Sequence, residues 1–196
     1  MHTRTVQQKK RELAEIAHRA FSGGLQSNTG GNISIRLENE NACVIKPSGV
    51  GFAECSEENL MVVSLEGKVL EGSNLKPSKD MEFHIGIYRV RPEVNGIVHV
   101  HSPWATGWAC VNREVPCLTV HSRDKLRRIP IIPVGPNEGP QTAEQVVGVF
   151  RDPDVKAATF QNHGTVGVGK SLLAALHIAE LIEETAHIAT VRAIVQ

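Results

Sequence analysis

Two histidines separated by one residue, His99 and His101, have the type and spacing to bind a metal ion. They lie in an apolar run that predicts a β-strand, in which alternate side chains point to one face about 6.5–7 Å apart. Two imidazoles placed in this way can bind one ion, and imidazole suits zinc and neighbouring transition metals. The alternative is that the pair simply lies at a half-exposed strand edge.

A third ligand has to come from elsewhere, because a catalytic zinc site has three protein ligands and an open position. His163 is the candidate, since it stands in an Asn-His-Gly turn where a predicted strand breaks. Such breaks often carry functional residues. His177 and His187 belong to the last predicted helix and lack a metal-binding spacing, so a solvated helix face explains them.

Asp80 is the carboxylate that could work beside such a metal. Pro77 and Ser78 predict the start of a helix that runs to about residue 90, with Ser78 as its N-cap. If Asp80 had only a structural role, its carboxylate would stabilise the helix by a few tenths to about 1 kcal/mol through its interaction with the helix dipole. A catalytic Asp80 would be a general base, and His84, one turn later, could support it from the same helix face.

Three segments have the composition of anion-binding loops. Ser78 and Lys79 offer a hydroxyl and an ammonium group at a helix N-terminus, where free N–H groups favour anions. The glycines in residues 29–32 (Thr-Gly-Gly-Asn) and in Ser48-Gly49 would let backbone amides approach a phosphate. The structural alternatives are ordinary turns and, for Lys79, a solvated surface lysine.

Residues 164–171, Gly-Thr-Val-Gly-Val-Gly-Lys-Ser, match the P-loop pattern of nucleotide-binding proteins. A P-loop nucleotidase also needs further strands, one of them with an acidic magnesium ligand. The 25 residues that follow Ser171 instead predict a single helix. These glycines are therefore expected to let a strand turn sharply into the last helix.

The elements that position these residues mix strands and helices. Helices are predicted over residues 5–21, 78–90, from 103, and over 142–150 and 171–195, with a Gly/Pro-rich loop at 135–140. Strands are predicted over 33–37, 42–46, 60–65, 96–101, 129–134, 155–160 and 165–168. Strand pairs adjacent in the chain favour antiparallel pairing. The prediction is one α/β domain over residues 1–196, with a mixed, largely antiparallel sheet and helices on both faces.

Composition excludes several classes of function. Lys and Arg total 21 and so do Asp and Glu, so no global basic field would attract nucleic acid or an anionic membrane. No run of eighteen apolar residues predicts a membrane span. The four cysteines form no C-x-x-C pair, which predicts reduced thiols in the cytoplasm.

Together these motifs resemble the class II aldolase/adducin family. The segments that carry the resemblance are residues 29–34 (TGGNIS), 45–50 (IKPSGV), 76–80 (KPSKD), 97–102 (IVHVHS) and 162–164 (NHG). The resemblance implies a three-layer α/β/α domain that assembles as a homotetramer with active sites between subunits. It also implies metal ligands at His99, His101 and His163, an acid/base carboxylate at Asp80, and a phosphate pocket formed by Asn32, Ser48, Gly49, Ser78 and Lys79.

The implied function is cleavage of a phosphorylated ketose similar to fuculose 1-phosphate. Zinc, with manganese or another divalent transition metal as the alternative, would stabilise the enediolate, while Asp80 moves the proton. A sugar-phosphate 4-epimerase and a decarboxylase of a 3-oxo-acid phosphate remain alternatives, as does a non-catalytic adducin-like module. Family aldolases use tyrosines as proton donors. The one tyrosine here, Tyr88, is expected to pack inside a helix layer, which leaves the proton donor unassigned.

Overall fold

The computed structural model describes residues 3–38, 40–134 and 140–195. Its helices are α1 (Thr3–Ser22), α2 (Met81–Val90), α3 (Pro103–Cys110), α4 (Val120–Lys125), α5 (Pro140–Phe150) and α6 (Leu172–Val195). Its strands are β1 (Asn32–Leu37), β2 (Ala42–Ile45), β3 (Met61–Ser64), β4 (Val69–Glu71), β5 (Gly96–Val100), β6 (Ile131–Ile132), β7 (Ala157–Phe160) and β8 (Gly164–Gly169). Two 3₁₀ turns, Phe52–Glu54 and Glu57–Asn59, connect β2 to β3.

The strands form one eight-stranded sheet in the order β4-β3-β2-β1-β5-β8-β7-β6. Every neighbouring pair is antiparallel except β6 and β7, which are parallel. The predicted mixed, largely antiparallel sheet is therefore confirmed. In this order β5 lies between β1 and β8, so that His99 is opposite Asn32 on one side and Val166 on the other.

Helices cover both faces of the sheet. On one face Val98 and Val100 pack with buried residues of α1 and α6. On the other face Ile97 packs with buried residues of α2 and α5. Because side chains alternate along a strand, His99 faces the α2 and α5 layer together with Ile97. The three-layer arrangement is thus confirmed, and it sets the direction in which the His99 imidazole points.

The P-loop pattern has a structural explanation. Residues 164–169 form β8, which is hydrogen-bonded to β5 and β7 on both sides rather than looped around a phosphate. A Cβ added at Gly169 would lie 2.5 Å from the backbone nitrogen of Ala175, and one at Gly167 would lie 2.9 Å from its carbonyl oxygen. The glycines therefore let α6 lie directly on the strand, which differs from the predicted role in a sharp turn.

Other differences from the sequence prediction are local. The short helix α4, with a capping box between Thr119 and Ser122, was not predicted. Strand β6 has two residues instead of the six expected over 129–134. The predicted Gly/Pro-rich loop falls outside the described residues up to Pro140, where α5 begins. No helix in the described part of the chain has the length and apolar character needed to cross a membrane.

Candidate active site

Three histidines converge at one edge of the sheet. His99 lies in β5, His101 follows the end of that strand, and His163 lies in the turn between β7 and β8. Because β5 pairs directly with β8, this turn comes to lie beside the end of β5. One nitrogen atom from each imidazole lies within 4.8 Å of the other two, so that the triad could hold a divalent metal ion.

Hydrogen bonds orient the strand that carries two of these ligands. The Nδ1 of His99 is 2.8 Å from the carbonyl oxygen of Thr165, which places its proton on Nδ1 and leaves the Nε2 lone pair for a metal. The backbone N–H of His101 donates to the buried Gln26 Oε1 at 2.8 Å. Burial, together with the neighbouring His163 and His101, lowers the pKa of His99 well below its usual range. The imidazole is therefore neutral, which is the form that binds metal.

Three glycines leave the space that the backbone of residues 99–100 and the His101 imidazole occupy. A Cβ at Gly30 would lie 2.9 Å from Nδ1 of His101. One at Gly31, whose φ is +61°, would lie 2.8 Å from the carbonyl oxygen of His99. One at Gly164 would lie 2.6 Å from the carbonyl oxygen of Val100 and 2.8 Å from Cδ2 of His101. The glycines of the 29–32 loop, which the sequence indicated as a phosphate cradle, thus pack against the metal-binding strand.

The carboxylate of Asp80 lies beside the triad, with Oδ2 3.8 Å from Nε2 of His99. The side chain is 22% exposed, and Oδ2 accepts a hydrogen bond from Nδ2 of Asn32 at 2.6 Å. Asp80 itself is the N-cap residue of α2, although its side chain makes no capping hydrogen bond. The carboxylate is turned towards Asn32 and the triad instead of the helix N–H groups.

The predicted start of this helix was therefore too early. Ser78 is not the N-cap, because α2 begins at Met81. Residues 78–81 form a turn in which the N–H of Asp80 donates to Ser78 Oγ at 3.3 Å and the N–H of Met81 donates to the Ser78 carbonyl at 3.2 Å. The turn holds Asp80 one residue ahead of the helix, and from there its carboxylate reaches β1 and β5.

A cleft opens beside the triad between α2, α5 and the β7–β8 turn. Its walls include Lys79, Asp80, Phe83, Thr142, Phe160 and His163. Lys79 is exposed, and its predicted role in binding an anion stays a prediction. Ser48 and Gly49 do not line this cleft, but Ser48 is bound to the turn before α2: its N–H donates to the carbonyl of Lys76 at 2.9 Å and its hydroxyl to that of Pro77 at 3.1 Å.

A buried lysine, which sequence reasoning missed, joins the two glycine-containing loops. The ammonium group of Lys46 donates to the carbonyl oxygens of Thr29 at 3.4 Å, Pro47 at 3.2 Å and Val50 at 2.6 Å. Burial lowers its pKa. Lys46 directly follows the apolar strand β2. A lysine at the end of such a strand is the one sequence feature that could have indicated its buried position. Gln26 was also missed, since a glutamine in a polar loop carries no comparable signal.

The remaining residues singled out by sequence fall in two groups. His177 and His187 are exposed on α6 and do not belong to the triad, as predicted, although the His187 ring stacks on Trp104 with ring centroids 4.2 Å apart. Tyr88 is buried in α2 and its hydroxyl is 2.8 Å from Ser34 Oγ, which confirms internal packing. Asn32 is also buried and its amide bonds to Asp80 and to His84, while its predicted contact with a phosphate stays a prediction.

Three convergent imidazoles beside a carboxylate, on a three-layer α/β fold, define a metal-dependent enzyme. The sequence model described as "Class II Aldolase and Adducin N-terminal domain" matches residues 11–190. The chain belongs to this family, and it is a class II aldolase family enzyme with a His-triad metal site.

Named relatives support the same conclusion. The 5-deoxy-D-ribulose 1-phosphate aldolase of Bacillus thuringiensis is 31% identical over 186 residues, covering 93% of this chain and 84% of that protein. The 3-oxo-tetronate 4-phosphate decarboxylase of Haemophilus influenzae is 31% identical over 183 residues, covering 91% and 85%. A solved structure of L-fuculose 1-phosphate aldolase superposes with a TM-score of 0.87 at 25% identity, covering 95% and 86%.

Proposed function

We propose that this protein is a lyase that breaks a carbon–carbon bond in a phosphorylated ketose, with zinc as its metal. The observation that carries the proposal is the position of Asp80, whose carboxylate lies 3.8 Å from Nε2 of His99 in the triad. A base at this distance from the ligands can reach a substrate held at the same ion. Three nitrogen ligands with an open position is the arrangement of catalytic zinc sites.

In this proposal the three histidines would bind the metal ion and Asp80 would transfer a proton. His99, His101 and His163 would hold the ion, which when bound would supply Lewis-acid chemistry by polarising the substrate's oxygens. The carboxylate of Asp80 would take the proton of the hydroxyl group next to the bond that breaks. That oxygen then becomes the carbonyl of the aldehyde product. The electron pair of the broken bond stays with the carbon next to the ketone, where a proton is added later.

Positive charge and donors beside the cleft support a phosphorylated substrate. Lys79 lines the cleft next to Asp80 and brings a positive charge to it. The hydrogen bonds from Ser48 to the turn before α2 keep the Ser48-Gly49 loop close to Ser78. We propose that these residues, with Asn32, bind the phosphate group. The substrate's anionic charge has to be met locally, because the chain has equal numbers of basic and acidic residues.

Decarboxylation is the second candidate, and the relative from Haemophilus influenzae favours it. Loss of carbon dioxide from a 3-oxo-acid phosphate leaves an electron pair on the carbon next to a carbonyl, as ketose cleavage does. The same metal would therefore serve both reactions. A 4-epimerase would also break and re-form such a bond.

The test is a substrate panel with zinc-loaded and manganese-loaded protein. The panel contains 5-deoxy-D-ribulose 1-phosphate, L-fuculose 1-phosphate, L-ribulose 5-phosphate and 3-oxo-tetronate 4-phosphate. Release of dihydroxyacetone phosphate is followed by coupled oxidation of NADH, release of carbon dioxide by a bicarbonate assay, and epimerisation by chromatography. Ketose cleavage with the highest kcat/KM is the expected result. Higher kcat/KM for the oxo acid would make the protein a decarboxylase, and no turnover at all would favour the non-catalytic module.

We also propose a homotetramer with active sites between subunits. Several large apolar side chains are exposed on this chain, among them Val111, Val120, Ile194 and Val195. Val111 and Ile194 line one groove between α3 and the end of α6 together with Trp104 and Trp108, and contiguous exposed apolar surface of this kind favours burial against another protein surface. Light scattering coupled to gel filtration should give four times the mass of one chain, and a monomer would reject the proposal.

A further inference from the structure

A line of buried polar side chains runs from Asp80 into the layer between the sheet and α2. Asp80 Oδ2 is 2.6 Å from Asn32 Nδ2, and Asn32 Oδ1 is 2.5 Å from His84 Nε2. His84 Nδ1 is 2.7 Å from Ser34 Oγ, which is 2.8 Å from the hydroxyl of Tyr88. Apart from Asp80, each of these residues is at most 3% exposed, so their bonds do not compete with water.

The chemistry of the groups sets the direction of every bond in the line. An ionised carboxylate only accepts hydrogen bonds, so the amide of Asn32 presents its nitrogen to Asp80 and its oxygen to His84. The His84 Nε2 therefore carries the proton, and its Nδ1 accepts a hydrogen bond from Ser34. Ser34 Oγ in turn accepts one from Tyr88. In each of the four hydrogen bonds, the acceptor is therefore the partner that lies closer to Asp80 along the line.

Burial supports these protonation states. It lowers the pKa of His84 to about 3, so the imidazole is neutral and one of its nitrogens is an acceptor. It raises the pKa of Tyr88 well above the usual range, so the phenol keeps the proton that it donates. A neutral histidine between one donor and one acceptor has a single tautomer that satisfies both.

We infer that His84 is a positioning residue that acts through Asn32 on Asp80. The inference rests on the proposed function, in which Asp80 moves the proton. The N–H of His84 holds the amide oxygen of Asn32, and the amide nitrogen consequently faces the carboxylate. A reversed amide would place its oxygen against the carboxylate oxygens and its N–H group against the N–H of His84. His84 is itself buried and does not line the cleft, so it does not touch the substrate.

The competing explanation is that the line only satisfies buried polar groups. In that case a change at His84 would cost stability and leave the chemistry of the folded enzyme intact. Two substitutions that place an amide at different distances from the backbone distinguish these explanations. The amide of His84→Gln reaches the place of Nε2 and can donate to Asn32. The shorter amide of His84→Asn ends near the place of Nδ1, where it can bond to Ser34 but not to Asn32.

The experiment measures kcat, KM, zinc content and melting temperature for both variants of the zinc-loaded protein. His84→Asn should lower kcat about 10- to 100-fold, the usual cost of losing a partner behind a metal-site residue. Its zinc content should stay within about twofold of wild type, and kcat should fall by a larger factor than KM rises, because Asn32 also belongs to the proposed phosphate pocket. His84→Gln should keep kcat within about fivefold of wild type, because it restores the donor. Ile182→Ala, which removes buried apolar volume in α6, controls for loss of stability alone and should keep kcat.

A second measurement does not depend on any substrate. Nitrogen-15 NMR of the imidazoles should show His84 in the Nε2–H tautomer in the wild type, and Ser34→Ala should weaken that preference. An Nδ1–H tautomer, or equal losses of kcat in both His84 variants, would overturn the inference. If the wild type turned over no phosphorylated substrate, the proposed function would fail by itself, and the tautomer would still decide whether the bonds run as inferred.

Discussion

Substitution of Gly164 by alanine should disturb the metal site without changing a metal ligand. The added Cβ would lie 2.6 Å from the carbonyl oxygen of Val100, 2.8 Å from Cδ2 of His101 and 3.3 Å from Cε1 of His99. All three atoms belong to residues 99–101, the segment at the end of β5 that carries two of the ligands. The carbonyl is backbone, so the contact cannot be relieved by a flexible side chain.

The expected magnitude follows from two opposing effects. Alanine in place of a strand glycine gains about 0.5–1 kcal/mol of stability through reduced backbone freedom. Overpacking in a filled interior costs about 1–3 kcal/mol. The destabilisation from overpacking should be the larger effect, because the steric clash can be relieved only if the imidazole of His101 and the end of β5 move by several tenths of an ångström. Metal–ligand distances tolerate about 0.2 Å, so the affinity for zinc should also fall at least about tenfold, or about 1.4 kcal/mol.

The assay compares unfolding of metal-free and zinc-loaded protein by urea, together with zinc titration against a chromophoric chelator. The difference in the free energy of unfolding between metal-free wild type and variant measures the cost of the steric clash. The increase in stability on adding zinc measures the affinity for zinc. Gly107→Ala in α3 is the matched control, because a Cβ there meets no atom within 4 Å. It should gain about 0.5–1 kcal/mol and bind zinc normally. If Gly164→Ala bound zinc as tightly as the wild type, close packing would not be what places the imidazoles.

Four further predictions concern the same site. His163→Ala should reduce zinc from about one ion per chain to well below it, and full occupancy by elemental analysis would reject this ligand. Asp80→Asn should retain zinc but lower kcat by about 10²- to 10⁴-fold, and a rate within a few-fold of wild type would make Asp80 a structural charge. Lys79→Met should weaken substrate binding by about 1.5–3 kcal/mol, measured as a higher KM at unchanged melting temperature, whereas an unchanged KM would place Lys79 outside the site. Burial lowers the pKa of His84 to about 3 and that of His99 well below its usual range, so below about pH 6.5 the unfolded chain binds protons that the folded chain does not. The free energy of unfolding of the metal-free protein should therefore fall between pH 6.5 and pH 5, by about 2 kcal/mol for His84 and further for His99, and equal stability in urea at the two pH values would contradict the burial of neutral histidines.

Local patterns in the sequence were enough to predict much of the site. The spacing of His99 and His101 places both on one face of a strand, because side chains alternate with a period of two. The break at His163 and the helix after Asp80 were also recognisable, since turn residues and apolar periodicity are local properties. The resemblance to a family, carried by five short motifs, predicted the three-layer fold. Helix and strand ends were less well predicted, as the late start of α2 shows.

The meaning of several motifs depended on which segments become neighbours. Nothing local to residues 164–171 distinguishes a P-loop from a strand under a helix. The single helix predicted after Ser171 argued against a P-loop, and the antiparallel pairing of β8 with β5 and β7 shows what the segment forms instead. The same pairing brings His163 to His99 and His101.

The surroundings of the candidate base were likewise decided by distant contacts. Asn32 and Asp80 are 48 positions apart, and Gln26 and His101 are 75 positions apart. Local patterns in the chain predict which faces of its strands and helices are apolar and which residues could bind metal or move a proton. They do not predict which of these residues meet, because contacts between distant segments depend on how whole strands pair and whole helices pack.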